Sequence, residues 1–208
     1  WFDAVSFTAD DRGRAEQYAS NTERESLRGT AQSVDDYLRA LEMTLVHGAV
    51  RPVDLARVSQ LVNKTNQFNP TTRRCTQQEL TDAVARPGTV ALQFRLIDRF
   101  GDNGLISALL LQPAADAADV LEIDFWVMSC RVFGRQVEFE AMTIAVEAAR
   151  ARGARAIRGR YVASPKNAVV SGLYESLGFR RGSATATAEG VVEWELDVAS
   201  YVPRPRSE

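Results

Sequence analysis

Cys130 stands in the run Met128-Ser129-Cys130-Arg131-Val132-Phe133-Gly134-Arg135-Gln136-Val137-Glu138. An apolar stretch, Val120 to Met128, precedes this run and a helical pattern follows it. A glycine-containing turn between a strand and a helix leaves backbone N–H groups unpaired at the helix start. With the helix dipole behind them, such groups bind phosphate. Arg131 and Arg135 add positive charge at the same turn. A phosphate cradle beside a thiol suits chemistry on a thioester carried by a phosphopantetheine arm. The same residues also describe an ordinary strand-to-helix turn with a packed, inert cysteine, because short glycine motifs are weak signals.

Other side chains extend the chemical reading. The thiolate is the nucleophilic form of cysteine, and an adjacent arginine and helix start favour it, so Cys130 is the candidate nucleophile. His47, the single histidine, is the candidate general base, or else a satisfied structural residue. Asp124 interrupts an apolar run, which is costly for an unpaired acid. At period two it shares a strand face with Trp126 and Met128. It either orients His47, binds substrate hydroxyls or pairs with a loop arginine. Asn66, Gln67, Asn69 and Thr72 offer neutral donors and acceptors for a hydroxylated group. Arg73 and Arg74 are candidate phosphate holders, the alternative being a self-bonded loop with solvated arginines. Cys75 beside this loop is read as passive.

Composition narrows the class. The 208 residues allow one large domain, or one with an appendage, and 45% hydrophobic with 25% charged residues is globular. A formal net charge of -2 gives no electrostatic case for nucleic acid or membrane partners. No apolar run is long enough for a transmembrane helix, and no signal peptide is visible. Two cysteines are too few for a disulfide scaffold, which points to the reducing cytoplasm, and one histidine excludes a His-rich metal site. The chain opens with Trp1-Phe2-Asp3 rather than Met, the expectation for a piece of a longer polypeptide.

These residues need elements to hold them. Thr8 is read as the cap of a polar helix running to about Leu27, with only Tyr18 and Leu27 as larger nonpolar positions. Ser33 caps a short second helix, Val34 to Leu41. Met43 to Val50 reads as a strand. Pro52 opens a helix with Leu55, Val58 and Val62 on one face, ending near Lys64. Thr76 caps a helix from Gln77 to Ala85. Val90 to Asp98 alternates as a half-buried strand, and Gly101-Asp102-Asn103-Gly104 is the predicted hairpin turn. Leu105 to Leu111 is apolar on both faces and therefore central. Val120 to Met128 is the next strand. Val137, Ala141, Ile144, Ala145 and Ala148 form one helical face, ended by Gly153. Ala154 to Val162 is a strand, Ser164 to Leu177 a helix, and Val192 to Val198 an edge-like strand. Residues 203–206 read as a loose tail. The order predicts an α/β fold: one mixed, mostly antiparallel sheet with helices on both faces.

This order resembles the GNAT acyltransferase fold. Its marker turn, Arg/Gln-x-x-Gly-x-Gly/Ala, is matched by Arg131-Val132-Phe133-Gly134-Arg135-Gln136, with Gln136 in place of a small residue. The resemblance implies that Met128, Arg131, Val132, Gly134, Arg135 and Gln136 hold the phosphopantetheine arm of a carrier protein or of CoA. It also implies that Asn167 and Tyr174 touch the arm and protonate the leaving thiol. A narrower resemblance rests on Lys64-Thr65-Asn66-Gln67-Phe68-Asn69 with Thr71-Thr72-Arg73-Arg74, on Asp98-Arg99-Phe100-Gly101-Asp102-Asn103-Gly104, and on Ser129-Cys130-Arg131-Val132. From about Phe7 to Gly182 the chain is similar to the C-terminal half of FkbH-like proteins. Cys75, Pro70 and Gln136 depart from that pattern, standing where an aromatic residue, Leu and Gly are expected.

The FkbH-like resemblance implies glyceryl transfer. A glyceryl unit from 1,3-bisphosphoglycerate passes through a cysteine thioester to an acyl carrier protein, for polyketide synthesis. It also implies a preceding phosphatase-type domain of the haloacid-dehalogenase class, whose Asp-x-Asp-x-Thr site is absent here. Residues 1–41 would then be a helical remnant or linker from that domain, 42–200 the acyltransferase domain and 201–208 a tail. Two other functions stay open at this level: an acetyl-CoA-dependent N-acetyltransferase, and a non-catalytic module that docks the carrier protein.

Overall fold

The computed structural model describes residues 9–182 and 190–204, with side chains from residue 20 onward. The predicted cap Thr8, the side chain of Tyr18 and tail residues Pro205 and Arg206 lie outside the described residues. The elements are α1 (Ala9–Thr30), α2 (Val34–Ala40), β1 (Thr44–Ala49), α3 (Leu55–Lys64), α4 (Gln77–Ala85), β2 (Val90–Asp98), β3 (Gly101–Pro113), β4 (Val120–Met128), α5 (Val137–Ala151), β5 (Ala156–Val162), α6 (Leu173–Ser176), β6 (Arg180–Arg181) and β7 (Val191–Asp197). The seven strands form one sheet in the order β1-β2-β3-β4-β5-β7-β6. The chain divides into two compact units, residues 1–46 with 96–104 and 206–208, and residues 47–95 with 105–205.

The first unit is organised by Asp98. Its carboxylate accepts Arg24 Nε at 2.8 Å and Nη2 at 2.7 Å, Asn103 Nδ2 at 3.0 Å and the Phe100 N–H at 3.0 Å. Burial works against the charge, but Arg24, Asn103 and the Phe100 N–H outweigh it and hold the carboxyl below its ordinary value. The hairpin therefore turns at Arg99–Phe100, and Gly101 to Gly104 already belong to β3. The Asn-Gly signal misplaces the turn because the Asp98 side chain closes the hairpin earlier in the chain. Ser33 caps α2 through its hydroxyl, which accepts the Asp36 N–H at 3.1 Å.

In the second unit, α3 and α4 bury Leu55, Val58, Val62, Leu80 and Ala83 against Ala108 and Leu110 of β3 and Phe125 and Val127 of β4. Trp126 and Met128 point the other way and are also buried, so both faces of β4 are covered. The capping box of α4, Thr76 with Glu79, is fully formed. Helix α5 carries the chain from β4 to the parallel β5 and buries Val137, Ala141, Met142, Ile144, Ala145, Val146 and Ala149. Its predicted single face is too narrow, because the segment after β7 packs along the helix. The Tyr201 hydroxyl meets Thr143 Oγ1 at 3.0 Å, and the Arg204 guanidinium lies 4.4 Å from the Phe139 ring. That segment is a strap on α5 at least to Arg204, where a loose tail is expected from sequence.

Strand β4 contains the feature that shapes the site. Leu110 pairs with Phe125 and Leu111 with Ile123, so Asp124 is the extra residue of a β-bulge. Before the bulge β4 pairs with β5, from Val120↔Ala156 to Glu122↔Arg158, and beyond it the pairing stops. The segment from Phe68 to Thr71 fills the opening. The Met128 N–H donates to Phe68 O at 3.2 Å, and the Val162 N–H donates to Pro70 O at 2.8 Å. The Thr71 hydroxyl donates to Asp124 O at 3.1 Å.

The predicted helix from Ser164 to Leu177 is instead a turn, a short 3-10 segment at Ala168–Val170 and the single turn of α6. At this turn Asn167 Oδ1 accepts the Ser164 N–H and the Asn167 amide donates to Val162 O, which ties the turn back to β5. Strand β7 is not at the sheet edge, since the two-residue β6 pairs outside it.

Candidate active site

A cavity of about 600 Å³ opens at the C-terminal end of β4. Leu61 and Lys64 from the end of α3, Thr65, Asn66 and Gln67 from the next loop, Met128, Ser129, Cys130 and Phe133 after β4, and Pro165 with Lys166 after β5 line it. That size is within the range of small-ligand sites. Cys130 is exposed and begins the 3-10 turn Cys130–Val132. Ser129 is fixed by its N–H donating to Ile106 O at 2.7 Å, and its hydroxyl accepts Arg131 Nε at 3.2 Å. Phe68 packs edge-on to Trp126 at 5.2 Å and lies 6.1 Å from the ring of Phe133, which lines the cavity. The result is an accessible thiol on a fixed turn, among neutral polar groups and two ammonium groups.

The structure brings Asn66, Gln67 and Met128 to Cys130, as expected from sequence. The remaining candidates stand elsewhere. His47 is exposed on β1, and β2 and β3 separate that strand from β4. At the usual strand spacing this is about 14 Å, too far for proton transfer to Cys130. Asp124 pairs with Arg73, Nε to Oδ1 at 3.6 Å, so both serve the bulge and its loop. Arg74 binds the carbonyls of Val62 and Thr65 and Asn66 Oδ1, which caps the end of α3 and removes it as a phosphate holder. Thr72 is exposed at φ 54° in the turn after Asn69. Asn69 is buried, its amide donating to Arg73 O at 3.0 Å, while its Oδ1 has no partner among the described residues. Cys75 is buried and burial pushes its thiol up, which matches the passive reading.

The expected phosphate cradle is the turn before α5. Helix α5 starts at Val137, as the sequence pattern predicts, the Cys130 cavity is lined as far as Phe133, and Val132 and Arg135 are buried. Gly134 at φ 74° and Gln136 at φ 60° shape the turn. The helix start carries its own acids, Glu138 and Glu140. Burial pushes the Glu138 carboxyl up, with its own N–H and Arg204 opposing. A phosphate at this helix start would meet Glu138.

Asn167 and Tyr174 are framework residues. Asn167 is fully buried, its Oδ1 accepting the Ser164 N–H at 2.9 Å and the Tyr161 hydroxyl at 3.3 Å. Its amide donates to Asn69 O at 3.1 Å and Val162 O at 2.9 Å, so it ties the Phe68–Thr71 segment to β5. Tyr174 is buried against Gly159, where an added Cβ would lie 2.4 Å from the ring, and burial pushes its phenol well up. It does not line the cavity.

Lys64 and Lys166 are the residues that sequence reasoning passes over. Both line the cavity and both are exposed. The available signal is rarity, because they are the only two lysines in the chain.

No protein-family model matches the sequence, and no curated protein matches it. Solved structures do match in fold. The ribosomal-protein-S18-alanine N-acetyltransferase of Escherichia coli is 14% identical with a TM-score of 0.55, over 74% of this chain and 94% of that one. The GNAT domain of S. lividans PAT is 17% identical with a TM-score of 0.57, over 73% and 89%. YncA of Salmonella typhimurium, solved with its cofactor acetyl-CoA, is 15% identical with a TM-score of 0.54, over 77% and 98%. The chain has the GNAT fold. Among the described residues no helix is long and apolar enough to cross a membrane.

Proposed function

We propose that this chain is an acyltransferase that takes a short hydroxylated acyl group, of glyceryl type, onto Cys130 and passes it to the pantetheine thiol of an acyl carrier protein. The observation that carries this reading is the exposed Cys130 in a cavity lined by Asn66, Gln67, Ser129, Lys64 and Lys166, with no carboxylate or histidine in its wall among the described residues. In the first step Cys130 gives its proton to solvent, its sulfur bonds the acyl carbon of an acyl phosphate, and the carbon–oxygen bond breaks to release phosphate. In the second the pantetheine sulfur bonds that carbon, the Cys130–carbon bond breaks, and the proton of the incoming thiol is returned through solvent to Cys130. Asn66 and Gln67 offer donors and acceptors to the acyl hydroxyls. On this reading residues 1–41 connect to a preceding phosphatase-type domain and the reaction is cytoplasmic.

A second reading, an acetyl-CoA-dependent N-acetyltransferase, is supported by the names of the fold neighbours. Direct attack needs a neutral amine. A cavity with two lysines and, among the described residues, no carboxylate or histidine repels the ammonium form and offers no acidic or imidazole base for it. The deciding experiment is loading of a phosphopantetheinylated carrier protein by the parent and by Cys130→Ala. Loss of loading in the variant supports the thioester route. Undiminished loading, or acetyl-CoA turnover indifferent to the substitution, refutes it.

A further inference from the structure

Arginine supplies 23 of the 25 cationic residues of this chain, and lysine only two. Both lysines, Lys64 at the end of α3 and Lys166 after β5, line the Cys130 cavity. Neither ammonium has an ion-pair or hydrogen-bond partner among the described residues. Several arginines of the same unit are engaged: Arg73 with Asp124, Arg74 with the α3 carbonyls, Arg158 with Asp116 and Glu195. A lysine differs from an arginine in being a compact charge with three donors on a flexible stem. It can follow a ligand that arrives and leaves. Two such charges from different elements at one cavity, with no acid in the wall among the described residues, attract a multiply charged anion.

We infer that Lys64 and Lys166 form a binding site for a phosphate group in the Cys130 cavity. The neutral donors complete it: the Asn66 and Gln67 amides, and the Ser129 hydroxyl, whose oxygen accepts Arg131 Nε and whose proton stays available. This deepens the acyl-transfer reading, on which the identity of the ligand rests, but the anion site itself does not need the thiol. The phosphate has two possible carriers. A phosphorylated acyl group keeps its phosphate within a three-carbon chain of the carbonyl, which fits one compact cavity holding the thiol and both lysines. A phosphopantetheine arm places its phosphate a full arm's length from the reacting sulfur, which puts the lysines at the entrance.

The test is equilibrium binding by calorimetry of four probes: phosphoglycerate, glycerate, phosphopantetheine and pantetheine. The proteins are the parent, Lys64→Gln, Lys166→Gln, the double variant and Cys130→Ser. Both lysines are exposed, so the glutamine variants retain the fold, which circular dichroism checks. The expected result is that at least one phosphate-bearing probe binds about tenfold tighter than its phosphate-free partner. Each single lysine substitution should weaken it about tenfold, and the double about a hundredfold. A preference confined to phosphoglycerate assigns the phosphate to the acyl donor, and one confined to phosphopantetheine assigns it to the arm. Equal binding of phosphate-bearing and phosphate-free probes, or binding unchanged by both lysine substitutions, overturns the inference. Cys130→Ser should bind like the parent, so a failed thioester reading leaves this result standing and a failed anion site leaves the thioester measurable.

Discussion

Replacing Asn167 with Ala separates a framework residue from a ligand contact. The side chain is fully buried and makes four hydrogen bonds, to Ser164 N–H, the Tyr161 hydroxyl, Asn69 O and Val162 O. Truncation removes the side-chain acceptor of the Ser164 N–H and leaves the Asn69 carbonyl with the Thr72 N–H alone. Four lost hydrogen bonds at about 1 kcal/mol each put the loss of stability at about 3–4 kcal/mol. With a urea slope of about 2 kcal/mol per molar, the unfolding midpoint should fall by about 1.5–2 M. The same change unties Phe68–Thr71 from β5 and frees the turn that carries Lys166. The reaction of Cys130 with a disulfide reagent should therefore change well below the unfolding midpoint. Asn167→Asp supplies a pH control. Its Oδ2 would face two carbonyl oxygens, which raises the pKa of the introduced carboxyl in the folded state. The variant should be relatively more stable at low pH, when that carboxyl is protonated, and lose stability as pH rises through the folded value. A midpoint shift below about 0.5 M with loss of carrier-protein binding would refute the reasoning and restore Asn167 as a ligand to the pantetheine arm.

Other outcomes follow from the same geometry. Iodoacetamide under native conditions should label Cys130 rapidly and Cys75 slowly, since the second thiol is buried and pushed up; peptide mapping after a short pulse reads both. Tyr174→Phe should leave acyl transfer within about twofold, because the hydroxyl only reaches Arg160 O at 3.5 Å; a hundredfold loss would return it to the chemistry. Asp98 is held below its ordinary value, so the stability that it contributes is present above about pH 4 and is lost as pH falls through the folded value. Urea titrations between pH 3 and 7 should show the gap between parent and Asp98→Asn closing at the acid end; a pH-independent gap contradicts the Arg24–Asp98 account.

The elements of this fold are legible where local chemistry decides them. The alternation of Val90 to Asp98 and the Thr76 cap locate β2 and α4 to the residue. The polar loop after α3, read as a candidate binding loop, lines the same cavity as Cys130 through Asn66 and Gln67. What stays hidden depends on tertiary partners. A bulge at Asp124 is invisible in an apolar run because it is defined by the register against β3. Arg73 and Arg74 read as free cations until the fold supplies Asp124 and the open carbonyls of α3. The Asn103-Gly104 signal loses to a buried carboxylate five residues before Asn103, at Asp98, which accepts the Phe100 N–H. His47 and Cys130 look like a base and a nucleophile by type alone, and the strand order keeps them apart. Lys64 and Lys166 are too distant in sequence to suggest a pair, and only α3 and the end of β5 bring them to one cavity.

The most direct test of the central claim is the intact mass of the protein after incubation with 1,3-bisphosphoglycerate, for the parent and for Cys130→Ala. The expected result is a single glyceryl or phosphoglyceryl adduct on the parent, absent from the variant and discharged by a pantetheine thiol. Acetyl-CoA turnover by both proteins, with no adduct on either, would contradict a covalent acyltransferase and return the chain to ordinary N-acetyl transfer.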